Sequence, residues 1–192
     1  MIRKAVIISI SGPGLTTQEI KIFKKEKPWG VILFKRNILS EKQVIKLTSS
    51  IKKIMNDTKY PILIDEEGGR VTRITNFLNN SLYNQKYFGD IYQIDKKIGL
   101  TFYKSYINSI SSHLLSLGIN INTSPVLDLY SYNAHKIIGN RSYSKDPAII
   151  NELGRLCVKF YKHNKIATVI KHIPGHGKSK VDSHFKLPVV KD

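Results

Sequence analysis

Three of the six histidines fall between residues 172 and 184. They lie in Lys171-His172-Ile173-Pro174-Gly175-His176-Gly177 and the following Asp182-Ser183-His184. Pro174, Gly175 and Gly177 predict an irregular loop. Asp182 and His184 are two apart, so in an extended loop their side chains point the same way. A carboxylate that accepts a hydrogen bond from one imidazole nitrogen leaves the other free for proton transfer. The same segment admits another chemistry, a metal-dependent hydrolase with His172, His176, Asp182 and His184 as ligands. Its spacing is not that of the H-E-x-x-H helix, and Pro174-Gly175 opposes such a helix.

Two other segments carry polar chemistry. Asp65-Glu66-Glu67-Gly68-Gly69-Arg70-Val71-Thr72-Arg73 sets three carboxylates and two arginines around a glycine pair. A Gly-Gly turn brings side chains from both arms into one pocket. Ile137-Ile138-Gly139-Asn140-Arg141-Ser142-Tyr143 holds one arginine in a polar loop, which alone reads as a structural turn.

Something must position these groups. Five short apolar, β-branched runs read as buried strands: Ala5–Ile10, Gly30–Phe34, Pro61–Ile64, Ile119–Asn122 continuing through Pro125-Val126-Leu127, and Ala167–Ile170. Helical segments lie between them. Ser40 is placed to cap Glu41–Met55, Ile94–Leu117 reads as one long amphipathic helix, and Asp146-Pro147 opens Ala148–His163. The Asn-rich stretch from Asn76 to Asn84 reads as a loop. Strands alternating with helices predict βαβ units and a parallel sheet. Charged groups follow the strands: Lys35-Arg36 after Phe34, Asp65 after Ile64, Asp128 after Leu127, and Lys171-His172 after Ile170. The carboxyl ends of strands are where barrels and open α/β sheets build their sites.

Composition narrows the field. The chain has 192 residues, 41% of them hydrophobic, which suffices for one domain with a core and excludes disorder. A complete (β/α)8 barrel needs about 250 residues. One cysteine, Cys157, excludes an intrachain disulfide framework and a cysteine-based zinc cluster. No apolar stretch is long enough to predict a membrane span. The start of the chain is read as a first strand rather than a signal peptide, and the expected location is the cytoplasm. The net charge is +17, but 25 of the 31 basic residues are dispersed lysines. That pattern supports weak nonspecific polyanion binding and no specific nucleic-acid partner.

Taken in order, these segments resemble glycoside hydrolase family 3, in its bacterial β-N-acetylhexosaminidase branch. The matching stretches are Gly30–Asn37, Ile64–Val71, Gly118–Asn122 with Pro125–Asp128, Ile138–Tyr143 and Lys171–His184. Lys-His-x-Pro-Gly-His-Gly followed by Asp-Ser-His is the most specific, with Ile173 in place of the usual Phe. The resemblance implies removal of terminal N-acetylglucosamine from peptidoglycan fragments (muropeptides) with retention, through a covalent glycosyl-enzyme. It implies sugar-binding roles for Asp65, Arg73, Arg141, Lys171 and His172, and an acid/base role for His184 partnered by Asp182. It implies no metal and no organic cofactor.

The family's nucleophile is an aspartate on a later barrel strand. Asp192 follows Leu187-Pro188 too closely to be that residue. The whole chain, 1–192, is therefore expected to be a shortened family 3 N-terminal domain. Its expected fold is α/β: an incomplete (β/α)8 TIM barrel of about the first five βα units. A C-terminal half-barrel polypeptide is then a candidate partner, and a noncatalytic sugar-binding remnant is the remaining alternative.

Overall fold

The computed structural model of the chain describes residues 2–132 and 136–189; Asp192 falls outside them. Five strands form one parallel sheet in chain order: β1 (Lys4–Ser9), β2 (Pro28–Leu33), β3 (Ile62–Ile64), β4 (Ile121–Asn122) and β5 (Ala167–Thr168). A doubly wound sheet would reverse its order at a switch point. Strictly sequential neighbours are instead the arrangement of successive units in a (β/α)8 barrel.

The register sets up the rim. Leu33 pairs with Ile64, Ile64 with Asn122, and Asn122 with Thr168. The carboxyl ends of β2 to β5 therefore align, and the residues that follow them share one edge. Beyond Asn122 the ladder is interrupted and re-forms where Val126 meets Lys171. There the Leu127 N–H donates to the Lys171 carbonyl at 2.6 Å, and the Lys171 N–H donates to the Pro125 carbonyl at 3.1 Å.

Five helices connect the strands: α1 (Thr17–Glu26), α2 (Glu41–Met55), α3 (Gln85–Ile94), α4 (Lys96–Ser116) and α5 (Pro147–His163). Their starts follow from local chemistry. Ser40 accepts from the Gln43 N–H to open α2, and Asp146 accepts from the Ala148 N–H to open α5 ahead of Pro147. Val44, Leu47, Ile51 and Met55 form the buried stripe of α2, and Ile150, Leu153, Cys157 and Tyr161 that of α5. The helix expected over Ile94–Leu117 is present as α4, and a helix the sequence reading did not single out, α3, precedes it. Asp95 takes an extended conformation that ends α3, and its carboxylate caps α4 by accepting from the Ile98 N–H at 2.9 Å.

Val31, Leu33, Ile62 and Ile64 of the central strands are fully or almost fully buried. Most of β1 is exposed, Val6 and Ile7 included, and so is Ala167 of β5. β1 and β5 each have a free edge among the described residues. No helix of the described residues is long and apolar enough to cross a membrane.

Candidate active site

The segment after β3 turns back on itself. The Glu67 N–H donates to the Val71 carbonyl at 2.9 Å around Gly68 and Gly69, both at positive φ. A Cβ on Gly68 would sit 2.1 Å from the Tyr83 carbonyl oxygen, so only glycine fits there. Asp65 and Glu67 face the rim, while Glu66 points into the body. Glu66 accepts from the Arg73 N–H and from Asn80 Nδ2, each at 2.8 Å. Burial pushes its carboxyl above the usual glutamate range against those hydrogen bonds. Asn122, the last residue of β4, brackets the Glu66 peptide, accepting from its N–H at 3.0 Å and donating to its carbonyl at 2.8 Å.

Four segments meet on the rim. Lys171 Nζ lies 2.8 Å from Asp65 Oδ1 and 2.5 Å from Glu67 Oε1. Thr123 also donates its hydroxyl to Asp65. Arg73 Nη2 stands 3.4 Å from Asp65 Oδ2. Arg141 grips Glu67 through Nε and Nη2 of its guanidinium and places Nη2 3.3 Å from His172 Nε2. Arg70 steadies the turn before Arg141 by donating to the carbonyls of Lys136, Ile137 and Ile138. His172 Nδ1 lies 2.6 Å from Asp128 Oδ2. The expected clamp residues Asp65, Arg73, Arg141, Lys171 and His172 thus form one contiguous network.

The network tunes its own charges. Burial raises the Asp65 carboxyl, but Lys171, Thr123 and Arg73 outweigh it and leave Asp65 below the usual range. Burial likewise opposes ionisation of Asp128, yet the hydrogen bonds from His172 and the His176 N–H prevail and lower it. For Arg141 burial disfavours the cation, and its contacts with Glu67 more than compensate. Fixed, charged donors and acceptors on a partly open rim suit directional hydrogen bonding to a neutral, hydroxyl-rich molecule. Arg73 adds a buried Nε with no partner among the described residues.

Asp182 and His184 form a second, separate arrangement. His184 Nδ1 lies 2.7 Å from Asp182 Oδ1, and the His184 side chain is 75% exposed. The loop that carries them is tethered at Gly177, where a Cβ would lie 2.2 Å from the Leu129 carbonyl oxygen. Beside that tether is a cleft of about 370 Å³ lined by Asp128, Leu129, Pro174, Gly175 and Lys178. The dyad is assembled, but its imidazole stands in solvent.

The four proposed metal ligands do not gather. His172 belongs to the rim, both ring nitrogens of His176 are buried, and His184 is exposed. No group of three His, Cys, Asp or Glu side chains among the described residues is placed to hold a metal ion. The metal-dependent alternative therefore finds no ligand set there.

Glu67, Thr123 and Asp128 are central to the geometry, yet sequence reasoning assigned them no role. Glu67 was visible as part of a carboxylate run and Asp128 as a charge just past a strand. Their partners were not visible, because those depend on which strand ends align.

Comparison with known proteins supplies a frame. Residues 8–192 match the model of the glycosyl hydrolase family 3 N terminal domain. A beta-hexosaminidase of Bordetella avium is 32% identical over 186 residues, covering 96% of this chain and 52% of that protein. Beta-hexosaminidase A of Pseudoalteromonas piscicida is 35% identical over 165 residues, covering 84% of this chain and 27% of that protein. The crystal structure of NagZ from Neisseria gonorrhoeae in complex with N-trifluoroacetyl-D-glucosamine superimposes with a TM-score of 0.89 at 30% identity, over 97% of this chain and 54% of that one. The chain spans about half the length of the Bordetella and Neisseria proteins, and less of the Pseudoalteromonas one.

Proposed function

The chain belongs to glycosyl hydrolase family 3, and from that premise we propose that it forms the N-terminal part of a retaining enzyme that removes terminal β-linked N-acetylglucosamine. The observation that carries this reading is the convergence of Asp65, Arg73, Arg141, Lys171 and His172 on one rim from separate segments. In this reading they hold the sugar's hydroxyl and acetamido groups. The substrates are muropeptide fragments of peptidoglycan, and the location is the cytoplasm.

The chemistry proceeds in two displacements. A carboxylate outside these 192 residues attacks the anomeric carbon while the glycosidic C–O bond breaks. Protonated His184 gives its proton to the leaving oxygen. Water then loses a proton to neutral His184 and adds to the anomeric carbon, releasing the carboxylate. Asp182 orients the imidazole through Nδ1. A histidine thus takes the acid/base place that a carboxylate fills in most glycosidases. Since the His184 ring is exposed here, the loop must close over the sugar for the proton to reach the glycosidic oxygen.

The rest of the barrel, whether a continuation or a second polypeptide, would cover the free edges of β1 and β5 and bring the nucleophile. The test is hydrolysis of a chromogenic N-acetylglucosaminide by the 192-residue chain, alone and with a separately made polypeptide bearing the later barrel strands. Turnover is expected only in the mixture, and to be lost with His184→Ala. Full turnover by the chain alone would overturn the divided site. Sugar binding without turnover in either case would reduce the clamp to recognition.

A further inference from the structure

Asp128 is 2% exposed, and its two carboxylate oxygens face different parts of the site. Oδ2 lies 2.6 Å from His172 Nδ1 and accepts from the His172 N–H at 3.1 Å. Oδ1 accepts from the backbone N–H of His176 and from that of Gly177 at 3.1 Å. One carboxylate therefore touches a ring on the rim and the root of the loop that bears His184.

The partners of His172 decide its proton. A buried carboxylate that accepts three backbone N–H groups is an acceptor, so Nδ1 must donate to it. On the other side Nε2 faces Arg141 Nη2 at 3.3 Å, and a guanidinium only donates. A proton on Nε2 would set donor against donor. The neutral ring with hydrogen on Nδ1 satisfies both neighbours. Backbone N–H groups at His176 and Gly177 likewise accept nothing, so Oδ1 has no competing role.

We propose that Asp128 is a positioning residue that fixes His172 as the Nδ1–H tautomer and, through its other oxygen, anchors the start of the His184 loop. His172 then presents a lone pair at Nε2, which accepts from a ligand hydroxyl in place of Arg141. The rim acquires an acceptor beside Arg141, a cation that can only donate. Because the anchor and the tautomer share one carboxylate, motion of the loop root is transmitted to the ring that meets the ligand. The ligand half of this statement rests on the sugar-binding reading above; the tautomer and the anchor do not.

Two substitutions separate the two oxygens. Asp128→Asn keeps an oxygen for the His176 and Gly177 N–H groups but turns an NH2 toward Nδ1. Asp128→Ala removes both. In protein labelled with nitrogen-15 at histidine, wild-type His172 is expected to show a proton on Nδ1 and a bare Nε2 at neutral pH. Asp128→Asn is expected to move the proton to Nε2 while amide exchange at His176 and Gly177 stays slow. Asp128→Ala is expected to speed exchange at both amides by at least tenfold. Wild-type His172 with its proton on Nε2, or charged at neutral pH, would overturn the proposal without any variant. So would an Asn variant that folds and keeps the wild-type tautomer. N-acetylglucosamine serves as the probe for the ligand half, and about tenfold weaker binding is expected in Asp128→Asn, the upper end of what one neutral hydrogen bond contributes. If wild-type protein binds no N-acetylglucosamine while its tautomer is as stated, the sugar reading fails and the positioning role stands.

Discussion

Arg141 meets Glu67 through two parallel hydrogen bonds, 2.8 Å from Nε to Oε2 and 2.9 Å from Nη2 to Oε1, across 74 residues of sequence. The Glu67 side chain is 1% exposed and that of Arg141 11%. The same carboxylate also holds Lys171. Two cations on the rim therefore share one buried anion, and Lys171 has Asp65 as a second partner.

Glu67→Ala should leave Arg141 without its ion-pair partner in a largely dry place, while Lys171 keeps Asp65. Removing one partner of a buried pair costs about 3–5 kcal/mol. Urea unfolding of the variant should show a loss in that range. A loss under about 1 kcal/mol, the value of a surface pair, would mean that water already screens the cluster.

Acid should weaken the fold through Asp65. Its carboxyl is depressed in the folded chain, so its stabilising contribution is complete above the unfolded value of about 3.9 and is lost as pH falls through the lower folded value. The stability gap between wild type and Asp65→Asn should be constant above about pH 5 and shrink below about pH 4. Urea midpoints from pH 3 to 7 test this; a gap unchanged at pH 3 would contradict it.

Cys157 should be silent. It is fully buried, and burial pushes its thiol up to about 11. At pH 7 the thiolate is about one part in ten thousand. A thiol-specific disulfide reagent should not react with native protein over minutes and should titrate one thiol after denaturation. Rapid native reaction would show that the α5 side of the core opens.

His184→Ala should separate activity from stability. Its exposed ring predicts a change in unfolding free energy within about 0.5 kcal/mol. In a barrel restored to activity, kcat should fall by about 10²–10⁴-fold, the range for a general acid/base. A variant that is destabilised by several kcal/mol would give His184 a structural role instead.

The fold was legible where local pattern decides it. Strands buried on both faces read as continuous apolar runs, and Val31-Ile32-Leu33 and Ile62-Leu63-Ile64 did. Helix α3 was not legible, because it is only 10 residues long and its cap, Asn84, also reads as the end of the Asn-rich loop before it. The clamp residues were visible as polar groups after strands and through the family resemblance. The role of Asp128 was not, since it lies 44 residues from His172 and the two meet only because Val126 pairs with Lys171. Likewise no local rule sends Glu66 inward and its two neighbours to the rim; the alternation follows from the end of β3 and the Gly68-Gly69 turn.

The strictly sequential strand order bears on how the chain is made. Each strand from β2 to β5 pairs with the one synthesised just before it. None has to wait for a later segment to slip between two earlier ones. On a ribosome adding about 5–20 residues per second, the sheet can grow at one border as the chain emerges. The steps join partners such as Ile7 and Gly30, Val31 and Ile62, Leu63 and Ile121, and Ile121 and Ala167, and loop-closure entropy rises only slowly with the length of chain between them. The cost is a growing border that is always an unpaired strand, and the exposed apolar residues of β1 mark the opposite border, left open from the first step onward.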